Sequence, residues 1–81
     1  MIKQIYSIYD SVADEFGAPV IFNNDAQACR AFDREITNNK DIYSPGDYRL
    51  YNIGIFSMET GEITSLSPCV VDTNKYNSEE V

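Results

Sequence analysis

A chain of 81 residues makes one domain with a thin core, since domains of this size bury only about 60 to 65% of the surface exposed by the unfolded chain. Its formal net charge of −7, six Lys and Arg against thirteen Asp and Glu, excludes a basic surface over the whole molecule and points towards protein partners. The two cysteines, Cys29 and Cys69, lie far apart with no metal-ligand spacing, which argues against a disulfide scaffold or zinc site and for reduced, buried thiols.

In chain order, residues 2 to 9, "IKQIYSIY", predict a strand that is apolar on both sides: Ile2, Tyr6 and Ile8 against Ile5 and Tyr9. "DSVADEFGAP" reads as a loop with at most one helical turn, ended by Gly17 and Pro19, and "PVIFN" as a short second strand through Phe22. "NDAQACRAFDREITNN" is the clearest helix. Asn24 or Asp25 can cap it, Asp25 suits the positive end of its dipole, and Ala28, Cys29, Phe32 and Ile36 form one sticky face over residues 25 to 36. "KDIYSPGD" is a loop closed by the Pro45-Gly46 turn signal.

"DYRLYNIGIF" begins a long strand from Tyr48 to Ser57. At period two, Tyr48, Leu50, Gly54 and Phe56 fall on one side and Tyr51, Ile53 and Ile55 on the other. "METGEIT" places Gly61 where a hairpin loop needs a positive φ, so Glu62 to Ser65 should return antiparallel. "PCVVD" reads as a short last strand. Residues 1–72 are thus expected to form one α+β domain: a small antiparallel sheet of four or five strands with one helix on one face. Residues 73–81 are expected to form a polar tail.

One helix covers one face of such a sheet and leaves the other apolar face open. A second copy of the chain, in a dimer or larger homo-oligomer, is the expected cover, with Tyr6, Ile8, Tyr51, Ile53 and Ile55 in the interface. No stretch approaches the apolar length of a membrane span or a signal peptide.

Signals for catalysis are weak. The chain has no histidine and no P-loop, GxSxG or GxGxxG motif, so neither cysteine has an activating base and no enzyme and no cofactor is expected. Asp10, Asp14 and Glu15 are close enough in sequence to meet around a divalent cation, yet they lack the spacing of a calcium loop and read as a solvated turn. A direct nucleic-acid reading rests on tyrosines such as Tyr9 and Tyr48 stacking unpaired bases, with a small basic strip of Arg30, Arg34 and Arg49 on the phosphates.

Three motifs occur in a recognisable order: Tyr-x-x-Tyr-Asp at Tyr6 to Asp10, Asn-Asp-x-x-x-x-Arg-x-Phe at Asn24 to Phe32, and Asp-Tyr-x-Leu-Tyr-x-Ile-Gly at Asp47 to Gly54. With "ETGEI" they cover about residues 5 to 66, and together they resemble the small non-structural protein of gokushovirus-type microviruses, phages with circular single-stranded DNA genomes. The resemblance implies a DNA-binding or packaging-switch protein of the host cytoplasm that turns viral DNA synthesis from double-stranded replication towards packaged single strands. The acidic charge favours an adaptor that touches a phage or host replication protein or the procapsid. Direct sequence-independent binding of single-stranded DNA is the alternative.

Overall fold

The computed structural model describes residues 1–38 and 45–73. The elements run β1 (Ile2–Asp10), β2 (Glu15–Phe16), β3 (Val20–Phe22), α1 (Asp25–Asn38), a 3-10 turn (Pro45–Asp47), β4 (Tyr48–Ser57) and β5 (Ile63–Thr73). All pairings are antiparallel. Strand β1 takes β2 and β3 along one edge and β4 along the other, and β5 closes the far side of β4. The fold is therefore the expected α+β arrangement, a curled sheet with one helix on it.

Helix α1 starts as the sequence indicates. Asn24 is the cap: its Oδ1 accepts from the Gln27 backbone N–H at 2.9 Å, while Gln27 Oε1 accepts from the Asn23 N–H at 3.2 Å. Asp25, the other possible cap, instead accepts a hydrogen bond from the Tyr6 hydroxyl at 2.5 Å and so ties the first turn to the sheet. The apolar stripe Ala28, Phe32 and Ile36 is buried against Tyr6 and Leu50, with Ile8, Phe22, Cys29, Tyr48 and Val71 packed around them. This is the core, and it is small, as the chain length requires.

Two segments differ from their expected form. The loop after β1 contains the two-residue strand β2, paired Tyr9 to Phe16 and Asp10 to Glu15. "PCVVD" is not a separate strand either: β5 runs continuously from Ile63 to Thr73 and absorbs irregularities in its pairing with β4, skipping Leu66 to Pro68. The β4–β5 hairpin forms where Gly61 was expected to turn it, with φ of 77°. Its ends are clasped by Ser57 N–H to the Glu62 carbonyl and Gly61 N–H to the Ser57 carbonyl, both at 2.9 Å. The expected polar tail lies outside the described residues except for Thr73, which ends β5, and most of the loop before Pro45 lies outside them too.

A β-bulge decides which side chains share a face. Across β1 and β4 the register passes from Ile5 opposite Gly54 to Tyr6 opposite Asn52, so Ile53 has no partner. One extra residue reverses the alternation beyond it. Tyr48, Leu50 and Asn52 lie on the helix side, but so does Ile55, opposite Gln4; Arg49 and Tyr51 share the other face with Gly54 and Phe56. The regular alternation expected for β4 is thus corrected at Ile53.

Candidate functional site

The sheet face opposite α1 is the feature with most capacity to bind. Register places Lys3, Ile5, Ser7 and Tyr9 of β1 on it, with Phe16 and Ile21 from the short strands, Arg49, Tyr51, Gly54 and Phe56 from β4, and Ile63, Ser65 and Val70 from β5. Ile5 and Ser7 are buried there: Ile5 lies over the bare backbone of Gly54, and Ser7 donates its hydroxyl to the Gly17 carbonyl at 2.8 Å. Around them the face is apolar and open, with Phe16, Ile21, Ile63 and Val70 all exposed.

At one end of this face three aromatic rings meet. The Tyr9 and Phe16 centroids are 4.9 Å apart, Phe16 and Tyr51 5.4 Å, and Tyr9 and Tyr51 5.7 Å, the last two pairs edge to face. Such geometry suits the ring quadrupoles and makes the cluster a preformed platform. Local chemistry builds it. Asp10 Oδ1 accepts from the N–H groups of Val12 at 3.0 Å and Ala13 at 3.2 Å, Asp14 takes a left-handed φ of 58°, and the chain reverses to set Phe16 beside Tyr9. The Tyr9 hydroxyl donates to the Asp14 carboxylate. That bond first, and partial desolvation second, raise its pKa above the ordinary tyrosine value. Tyr9 is therefore a neutral donor across the physiological range.

The charge on this face runs against the whole molecule. Its register positions include two cations, Lys3 and Arg49, and no carboxylate, in a chain of net charge −7. Arg49 is the direct cross-strand neighbour of Tyr9, so a guanidinium stands beside the aromatic cluster. Lys3 donates from Nζ to the Asn23 carboxamide at the opposite end.

The residues singled out from sequence are divided by the fold. Tyr6 is fully buried under α1, and Ile8 packs against the same core, so neither joins Tyr51 on the open face. Ile53 is the bulge residue, and Ile55 lies on the helix side. The grouping of these five as one surface is corrected by the bulge and by the position of α1. Tyr48 packs at the core edge opposite Asp10, its pKa raised by desolvation and then by Asp10. Arg30 and Arg34 do come together, lining a shallow cleft on α1 with Phe22, Gln27 and Ala31. Arg49 is on the other side of the sheet, so the three arginines form no single strip. Of the expected contact residues, Tyr9 and Arg49 are neighbours, and Tyr51 completes their cluster.

Sequence reading passed over Phe16, because a two-residue strand is too short to show a period, and over the exposed apolar residues of β5. It also expected both thiols buried: Cys29 is half-buried, but Cys69 is exposed on the edge strand. The acidic turn is closed by internal bonds of Asp10 and Asp14, and among the described residues no three His, Cys, Asp or Glu side chains gather to hold a metal. No helix among them is long and apolar enough to cross a membrane. An arrangement of rings, aliphatic side chains and one guanidinium can bury apolar area, stack and pair with an anion.

Comparison with curated proteins finds no match, and comparison with solved structures finds none either. A family model, that of the Phage ORF5 protein, matches residues 3–75, which takes in all the strands and the helix among the described residues save Ile2 at the start of β1. The chain accordingly belongs to the Phage ORF5 protein family.

Proposed function

We propose that this phage protein is a non-enzymatic accessory factor of the host cytoplasm that promotes the switch from double-stranded DNA replication to synthesis and packaging of single-stranded genomes. It acts by docking its open aromatic face on a protein partner, a phage or host replication protein or the procapsid. The resemblance to gokushovirus packaging-switch proteins supplies the process. The observation that carries the docking mode is the cluster of Tyr9, Phe16 and Tyr51 on a face whose strand positions carry Lys3 and Arg49 and no carboxylate, with Asp14 at its rim on the Tyr9 hydroxyl. Aromatic anchors of this kind dominate protein interfaces, and a single one is often worth about 2 kcal/mol or more on truncation. A phage lacking the gene should still make double-stranded intermediates and fail to accumulate packaged single strands. The double variant Phe16→Ala, Tyr51→Ala should reproduce that defect at normal protein level. Normal packaged progeny from the deletion refutes the role, and normal progeny from the double variant refutes the face.

A second reading is favoured by the pairing of Arg49 with Tyr9: the same face binds single-stranded DNA directly, stacking bases on the rings. Fluorescence anisotropy with a labelled oligonucleotide separates the two. Direct binding predicts affinity at low salt that falls steeply as salt rises, and is lost with Tyr51→Ala. A protein-docking face predicts no DNA affinity even at low salt.

A further inference from the structure

The outer edge of the sheet is β5, and among the described residues β5 pairs only with β4. An edge strand of 11 residues presents a row of backbone N–H and C=O groups on its free side, a template for another extended strand. Such edges are commonly blunted by charged side chains. This one is not: residues 63–71, "ITSLSPCVV", carry no charge, although the chain holds thirteen acidic residues. Residues 63–70 are all exposed, with Ile63, Leu66 and Val70 among the largest apolar side chains in contact with solvent.

We infer that β5 pairs with β5 of a second copy, giving a two-fold dimer with one continuous sheet. Charge selects the occupant. Two chains of net charge −7 repel, and a two-fold antiparallel pair sets residues equally distant from the axis against each other, so acids along the segment would be brought close to those of the other copy. The uninterrupted uncharged run of nine residues, 63–71, is where this cost vanishes. Pro68 breaks the edge only locally, because it lies in the stretch Leu66 to Pro68 that β4 also leaves unpaired. The segments on either side of it, Ile63–Ser65 and Cys69–Val70, keep regular pairing with β4. Edge pairing leaves the opposite face of each copy uncovered, so the dimer presents two aromatic clusters on one sheet surface. A partner that engages both gains avidity without any new contact.

Light scattering on the full chain at micromolar concentration should give twice the 9.2 kDa chain mass. The double variant Ser65→Lys, Val70→Lys puts a like charge on each side of Pro68 at exposed positions, and should give the single-chain mass with an unchanged far-ultraviolet spectrum. Tyr51→Ala, on the open face, should remain dimeric. A monomeric wild type overturns the inference, as does a lysine variant that stays dimeric or a Tyr51→Ala variant that becomes monomeric. Should the lysine variant fail to fold, amide exchange on the wild type decides: the β5 amides that point away from β4 exchange slowly if paired, and fast exchange there overturns the dimer.

Discussion

Replacing Gly54 by alanine tests whether the close approach of β4 and β5 is real. A Cβ built on Gly54 would sit 2.8 Å from the Thr64 carbonyl oxygen and 3.7 Å from its carbonyl carbon, with Ile5 Cδ1 at 3.5 Å. Contacts under 3.0 Å are essentially never made by real Cβ atoms. The obstructing atom is backbone, in the strand paired to Gly54 through Ser65, so relief requires parting the two strands next to the bulge. Overpacking of this kind costs about 1–3 kcal/mol, against which alanine stiffens the unfolded chain and returns about 0.4–1 kcal/mol. The net expectation for Gly54→Ala is a loss of about 1–2 kcal/mol, or roughly 5–15 °C in melting temperature for a domain of this size. Thermal and urea unfolding followed by circular dichroism at one fixed protein concentration measures it. The two contributions have opposite signs, which makes the result decisive. A variant as stable as the wild type, or more so, would refute the packing geometry around the bulge.

Phe32→Ala should be more damaging: Phe32 is 2% exposed at the centre of the helix–sheet core, and truncating a buried phenylalanine costs about 3–5 kcal/mol. Much of the stability of a small domain would go, and a urea midpoint close to wild type would show that α1 does not close the core. Tyr6→Phe removes the hydroxyl that donates to Asp25 and should cost about 1 kcal/mol at neutral pH. Burial first, and the Asp25 contact second, raise the Tyr6 pKa far above the tyrosine value near 10. The folded state thus keeps a proton that the unfolded chain loses, so this stabilisation is complete below about pH 10 and disappears as pH rises further. Tyr6→Phe should accordingly show a shallower alkaline loss of stability than wild type, with the remainder carried by Tyr9 and Tyr48; an identical alkaline limb would contradict the assignment.

Much of the fold was legible because its determinants are local. The cap at Asn24, the 3.6-residue spacing of Ala28, Phe32 and Ile36, and the need for positive φ at Gly61 each act within a few residues of chain. The candidate site was less legible. Tyr9, Tyr51 and Arg49 stood out by type, but their companion Phe16 lay in a segment with no period. Tyr6 and Ile8 looked equivalent to Tyr51 until α1 was seen to lie over them.

By itself the sequence determined the helix and its sticky face, the two long strands, the hairpin at Gly61 and an acidic chain with an apolar excess on its sheet. Those features follow from side-chain type and spacing over one or two turns or a few strand residues. Only the tertiary structure decided which apolar residues α1 covers and which it leaves open. The reason is the single unpaired residue Ile53: a bulge is defined by the partner strand's register, and its one-residue shift moves every later side chain of β4 to the opposite face.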